Sequence, residues 1–302
     1  MVTAKERVLY KGEKQRMDNI YMYYFSGTGN TLYLVNQLKE CISEIIIIPI
    51  ASLLDVDDIV IPKSKTIGFC FPNHAGHIPI PIKIFLEKIR LEGDEYLFAI
   101  CNSAFSKCFA PDDFVKILKK SGCRLSAYFN LIMPDNHTIV AKDYKIPDKE
   151  EFKKCEDQSQ EKLSHIKEVI MNKEKFIEKD DKPAPFPVWI DKILGPIIFF
   201  LIQKHPSILL KGRLYADSKC NSCKICEKAC PANRIVVNHS RPIFDYKISC
   251  FGCYGCVNFC PVESIQVASK WFNGRSYSSK NSRYPHPYAS VKDIEKQKTK
   301  GI

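Results

Sequence analysis

The sequence predicts a two-part chain, a doubly wound α/β domain followed by a small α+β domain organised by cysteine. Three observations predict it. Short apolar runs of strand length alternate with helical patterns between residues 20 and 133. The first of those runs opens directly into a Gly- and hydroxyl-rich turn and then a helix. Finally, Cys-x-x-Cys-x-x-Cys-x-x-x-Cys-Pro occurs twice between Cys220 and Pro261. A length of 302 residues is enough for two cores. An apolar fraction of 45% with a mean hydropathy of -0.19 fits a globular chain. The longest apolar run, Ile193 to Ile202, is too short to span a bilayer and contains Gly195 and Pro196, so no membrane span is predicted. Residues 1–18 are basic and lack the apolar centre of a secretory signal; they read as an N-terminal extension. Fourteen cysteines without such a signal fit a reducing, cytoplasmic setting.

Taken in order, Ile20 to Phe25 reads as the first strand, Ser26-Gly27-Thr28-Gly29-Asn30-Thr31 as the turn, and Leu32, Val35, Leu38 and Cys41 as the buried face of a helix. Backbone N–H groups at a helix start, with hydroxyls beside them, make a phosphate cradle. No Lys follows the second Gly, so a nucleoside triphosphate loop fails. There is no third Gly at the dinucleotide spacing and no acidic residue at the ribose position, which disfavours a dinucleotide. A terminal monophosphate such as that of FMN suits the cradle. Further strands are expected at Ile45 to Ile50, Thr66 to Phe71, Tyr96 to Cys101 and Leu125 to Met133, with helices at Ile82 to Arg90 and Asp112 to Lys120. Five strands in the order 2-1-3-4-5 place a ligand at the carboxyl ends of strands one and three. This brings two loops to the site: Pro72, Asn73, His74, Ala75, Gly76 and His77 after strand three, and Asn102, Ser103, Ala104 and Phe105 after strand four. Asp148 to Lys179 reads as one long amphipathic helix. Residues 181–212 open with three prolines and read as a linker, with an apolar interdomain segment from Phe186 to Leu210.

The cysteine runs point to iron–sulfur chemistry. Three closely spaced thiolates reach three corners of one cluster from one curled loop, and the fourth Cys of each run stands too far along to join them, so it is expected to serve the other cluster. One 4Fe-4S cluster would be held by Cys220, Cys223, Cys226 and Cys260, the other by Cys250, Cys253, Cys256 and Cys230. Zinc has no use for the third Cys or the following Pro. A formal charge of +11 invites a nucleic-acid reading. Two oxidised clusters with their thiolates contribute roughly -4 and a flavin phosphate about -2, leaving a holo-protein near +5. Residues 271–302 carry seven Lys or Arg with interleaved aromatics and read as a basic tail that docks acidic electron-transfer partners; nucleic acid is disfavoured.

Ser26 to Thr31 resembles the flavodoxin phosphate loop Ser/Thr-x-Thr-Gly-x-Thr, and the whole chain resembles flavodoxin–ferredoxin fusion proteins of anaerobic prokaryotes. The resemblance implies a flavodoxin-like FMN-binding domain at 19–180 and a two-cluster ferredoxin domain at 213–270. By resemblance Asn73, Ala75, Asn102 and Ser103 meet the ring edge, and His74 or Phe105 stands where flavodoxins often carry Trp or Tyr. The implied function is electron transfer between FMN and two 4Fe-4S clusters, and on to redox proteins such as ferredoxin-like or flavin enzymes. No catalytic acid or base stands out. A flavin-dependent reductase with a pocket near His74 and Asn136 is the alternative reading, and a nucleic-acid-binding iron–sulfur protein a weaker one.

Overall fold

The computed structural model describes residues 19–54, 60–74, 76–104, 109–136, 138, 145–179, 213–238, 240–268, 279 and 281–298. The expected N-terminal extension (1–18), the 181–212 segment, Ala75 and Phe105 lie outside the described residues.

Strands β1 (Ile20–Tyr24), β2 (Ile45–Pro49), β3 (Thr66–Pro72), β4 (Tyr96–Ser103), β5 (Leu125–Ile132) and β6 (Phe176–Ile177) form one parallel sheet in the order β2-β1-β3-β4-β5-β6. This is the flavodoxin-like order with one further edge strand. Helices α1 (Asn30–Cys41) and α4 (Lys149–Met171) cover one face, where Leu38 and Ile166 meet Met22, Phe98 and Phe129. Helices α2 (Ile80–Lys88) and α3 (Ala110–Leu118) cover the other, where Phe85 and Phe114 meet Tyr23, Phe69 and Leu97. With both faces covered, every residue of β4 is buried, as is β3 apart from Pro72, which explains their continuous apolar sequences.

Three expectations need correction. The helix expected over 148–179 stops at Met171, and Phe176 leaves the helix to pair beside β5, where its ring stacks on Phe129. Asp148 caps that helix as expected of its sequence: its carboxylate accepts from the Glu150 and Glu151 amides, and Glu151 returns a bond to the Asp148 amide. Second, Pro72, Asn102 and Ser103 are strand residues, because pairing of β3 with β4 and β4 with β5 continues through them. Third, residues 281–298, expected within a basic tail, are folded. Ser290 and Asp293 form a reciprocal capping box that starts α7 (Val291–Lys296, the last α-helix among the described residues), and Ile294 is fully buried in the core shared with α1 and β1. A buried Ile is worth about 1.5–3 kcal/mol, enough to hold a short helix in place.

The second unit is an internal repeat of 30 residues. Helices α5 (Ile225–Lys228) and α6 (Gly255–Asn258) correspond at that offset, as do strands β8 (Ile235–Asn238) and β10 (Ile265–Ala268). β10 pairs antiparallel with β7 (Arg213–Ala216), and β8 with β9 (Arg241–Phe244). The backbone repeats as faithfully: left-handed residues fall at Ser222, Lys224 and Asn233, and again at Gly252, Tyr254 and Glu263. Five of these six are not glycine, each in a conformation that costs an L-residue roughly 1–2 kcal/mol.

His286 provides a test of how the C-terminal segment is held. It is 1% exposed, stacks on Tyr33 at 4.6 Å, meets Phe152 edge-on, and accepts the Tyr288 amide at Nδ1. Burial pulls its pKa down to about 4. The unfolded segment therefore takes up a proton near pH 6.5 while the folded one does not, so the packing of His286 is unpenalised above that pH and loses stability as pH falls toward 4. The expected loss is about 3 kcal/mol at most. Hydrogen-exchange protection factors of residues 281–298 should fall between pH 6.5 and 4, and His286→Phe should abolish that fall.

Candidate functional site

The crevice between β1 and β3, where the strand order reverses, is the natural ligand position in such a sheet. Ser26 to Thr31 leave β1 there and enter α1 through Gly29, whose φ of +109° is closed to L-side chains. The hydroxyl oxygen of Ser26 accepts the Gly29 and Leu32 amides at 3.2 and 3.3 Å, shaping the turn around itself. Thr31 donates to Asn102 Oδ1 at 2.6 Å, and Asn136 donates to the Thr28 hydroxyl oxygen. The Ser26 and Thr28 hydroxyls accept in these bonds, so each keeps its proton to donate. Asn30 and Thr31 are the first residues of α1, and their amides have no carbonyl within the helix.

Around this loop the structure assembles most of the other sequence-predicted residues. Asn73 donates its amide to the Asn102 carbonyl, which ties the end of β3 to β4. His74 pairs with His77 through two backbone hydrogen bonds and meets Phe25 edge-on at 6.3 Å; Gly76 accepts from the Phe109 amide. His77 is held by Asp113 at 3.0 Å, away from the loop. Ser103 is buried at the end of β4, and its hydroxyl donates to Asn130 Oδ1 at 2.9 Å. Among the described residues the carboxamide oxygens of Asn30 and Asn73 are buried without a partner. Two orphaned acceptors beside free helix-start amides fit a ligand that carries both a phosphate and ring or sugar donors, which is the chemistry of FMN.

The cysteines form two groups that cross the repeat. One cavity is lined by Cys250, Cys253 and Cys256 together with Cys230 of the first run. Cys226 has Cys260, Cys223 and Cys220 as its electrostatic neighbours. Burial pushes the Cys226 and Cys253 thiols up to about 12 and Cys256 well above the ordinary range, with neighbouring cysteines adding to each shift. Such thiols ionise only onto a cationic centre, which fits a metal-bearing core. Amides of Gly252 and Ser264 donate to the sulfurs of Cys250 and Cys260, bonds of the kind that set cluster potentials.

The two sites are in contact. A Cβ added to Gly27 would lie 2.6 Å from the Cys253 Cβ and 2.8 Å from its carbonyl oxygen, and one added to Gly255 would lie 2.7 Å from the Gly27 oxygen and 2.9 Å from that of Ala229. Phe251, from the second cysteine run, packs edge-on to Phe25 at the end of β1. Sequence reasoning missed the residues that complete this arrangement, Arg283, His286 and Gln297. The Ser290-x-x-Asp293 spacing was the available signal for a helix there.

The comparisons with known proteins follow the same division. Residues 219–265 match the domain family described as 4Fe-4S dicluster domain. A curated relative, NAD(P)H-quinone oxidoreductase subunit I of Gloeobacter violaceus, is 29% identical over 77 residues; the match covers 22% of this chain and 37% of the relative, so the chain spans little more than a third of its length. Among solved structures, the flavodiiron core of Synechocystis is 18% identical with a TM-score of 0.30, covering 50% of this chain and 36% of that one. The flavodoxins of Streptococcus pneumonia and Megasphaera elsdenii are 16% and 12% identical, with TM-scores of 0.27 and 0.29; each match covers 98% of the flavodoxin and 49% or 48% of this chain. The chain thus joins a flavodoxin-like α/β unit to a ferredoxin-type unit that carries the iron–sulfur cysteines.

The glycine contacts make a direct test possible. Gly255→Ala forces a methyl against two backbone oxygens that cannot rotate away, and should destabilise the protein by roughly 1–3 kcal/mol. Gly93→Ala is a control: nothing lies within 4 Å of a Cβ there, and any loss comes from its φ of +98° alone. Denaturant midpoints of the anaerobic holo-protein measure both.

Proposed function

We propose that this chain is an electron-transfer protein in which two 4Fe-4S clusters exchange electrons with FMN on the flavodoxin-like unit and with outside redox proteins. The observation that carries the reading is the contact of Gly27 with Cys253, which sets a phosphate loop directly against a cluster-binding loop. The ligand sets are Cys220, Cys223, Cys226 and Cys260 for one cluster and Cys250, Cys253, Cys256 and Cys230 for the other. The grouping of cysteines around one cavity supports this crossed assignment. Ser26 to Thr31 hold the flavin phosphate, with Asn30 and Asn73 offering acceptors further along. Domain limits of 19–180 and 213–270 follow from the same division, with 281–298 joined to both.

Clusters carry single electrons and a flavin can take one or two, so the pair can interconvert one-electron and two-electron carriers. The chain's own contribution is placement. Gly27 and Gly255 let the two loops approach at backbone distance, the amides on Cys250 and Cys260 stabilise anionic sulfur, and the Ser26 and Thr28 hydroxyls orient toward a phosphate. An outside donor delivers one electron at a time; Cys223 is the exposed cysteine of the set, so the cluster of Cys220, Cys223, Cys226 and Cys260 is the nearer to solvent. The match to a quinone oxidoreductase subunit supports a place among redox proteins. Asn136 donates to the Thr28 hydroxyl oxygen and braces the loop.

Anaerobically purified protein should contain about eight irons and one FMN. Iron without flavin would overturn the flavin half of this reading. Replacing Cys220 and Cys260 together by Ala should leave about four irons and one cluster spectrum, whereas loss of both clusters in a folded double variant would favour sequential ligation.

A further inference from the structure

The C-terminal segment does more than pack on the surface. Gln297 is fully buried, and its carboxamide makes two bonds to the backbone of one residue of the phosphate loop: Oε1 accepts the Ser26 amide at 3.0 Å and Nε2 donates to the Ser26 carbonyl at 3.0 Å. The His286 amide donates to the Thr28 carbonyl at 2.8 Å. The β-carbons of Ala289 and His286 press on Gly29, at 2.4 and 2.7 Å from where its Cβ would stand. Ser26, Thr28, Asn30 and Thr31 are 1–4% exposed, covered by this segment together with the end of β4 and the loop after β5.

The same segment grips the ferredoxin-type unit. Arg283 donates from Nη2 to the carbonyls of Glu263 and Ile265 and to the Gln266 side chain, and the Tyr284 amide donates to Asn258 Oδ1. Lys298 donates to the Glu227 carbonyl at 2.6 Å. Asn281 reaches the Thr138 carbonyl, beside the Asn136 that braces Thr28. The segment is therefore bonded at once to the phosphate loop, to the loop after β5 and to both halves of the cysteine repeat.

We propose that residues 281–298 are a clasp, with Gln297 as its latch, that closes over the phosphate loop and holds the cluster-binding loop of Cys253 against it. It rests on the flavin reading above in one respect: a phosphate seated in this loop is enclosed by the clasp, so FMN is retained as a non-exchanging group and enters or leaves only when the clasp opens. Gln297 and Arg283 are positioning residues and touch no reacting atom.

The test uses the intact holo-protein. Exchange of bound FMN for isotopically labelled FMN should be slow in the parent chain and about 10- to 100-fold faster in Gln297→Ala, as expected for loss of two buried hydrogen bonds. Arg283→Ala, which acts from the opposite end, should do the same with the iron content unchanged. Gln297→Glu separates the latch from mere packing. A protonated Glu can both accept and donate as Gln does, whereas the carboxylate cannot donate to the Ser26 carbonyl. Burial raises the pKa of a carboxyl group at this enclosed position, so exchange in Gln297→Glu should be fast at pH 8 and slow as pH falls toward 6, with no such reversal in Gln297→Ala. Equal exchange rates in parent and variants would overturn the clasp. If the purified protein holds no FMN, the flavin reading fails, and the clasp is judged by hydrogen exchange of the Ser26 to Leu32 amides. Deprotection in Gln297→Ala and Arg283→Ala supports it; no change overturns it.

Discussion

The arrangement depends on one backbone contact, the approach of Gly27 to Gly255 and Cys253. Both glycines present only hydrogen where any other residue would place a carbon within 2.9 Å of a backbone oxygen. Peptide planes thus meet without an intervening side-chain layer. Everything else that joins the halves surrounds this point: Phe251 against Phe25 on one side, and Phe259, Ala229 and Ile294 continuing the core of the sheet on the other. That continuity separates this chain from two domains on a tether. A flexible linker supplies only an effective concentration, whereas a shared apolar core fixes distance and orientation, the two quantities on which electron transfer between buried centres turns.

The ferredoxin-type unit meets a different constraint. Its six left-handed residues recur at a fixed offset, and only Gly252 has the residue type that takes this conformation freely. Lys224 and Tyr254 each sit just before a one-turn helix, where the chain must reverse to bring the third cysteine back toward the first. Strain of that size, several kcal/mol in sum, is maintained when something else over-determines the backbone. Thiolates bound to a common iron–sulfur core would do so, which couples the folding of such a unit to its metal.

Much of this was legible in the sequence because it is written in local patterns. The parallel strands show as uninterrupted apolar runs, the phosphate loop as a turn with the wrong residues for triphosphate or dinucleotide, and the cysteine runs as a ligand spacing. The sixth strand was not legible: Phe176 continues the helical apolar spacing of α4, and only its pairing with Ala127 makes it a strand. Pro72, Asn102 and Ser103 look like loop residues by composition, yet the sheet extends through them because neighbouring strands are long enough to pair. The C-terminal segment misled for a different reason. Its lysines and arginines dominate the count, while its fold rests on a few residues, Tyr284, His286, Ile294 and Gln297, whose partners lie more than a hundred positions away or in the cysteine runs. No periodicity records a partner at that distance.

One of the cations behind the chain's positive charge is buried at the same place. A formal +11 suggests a basic surface for acidic partners, but Arg283 is 7% exposed and sits among carbonyls of the second cysteine run, with Cys260 and Cys256 among the charges it feels. Burial lowers its pKa, the direction expected for a cation taken out of water, and two of its nitrogens, Nε and Nη1, have no partner among the described residues. In an uncharged setting that would be a strongly destabilising position. The charges of Glu263, Cys260, Asp217 and Cys256 act against that shift, so the guanidinium sits as a counter-charge to the carboxylates and cysteines it faces. The part of the basic charge carried by this residue is thus internal. The same guanidinium ties the C-terminal segment to the unit that carries the iron–sulfur cysteines.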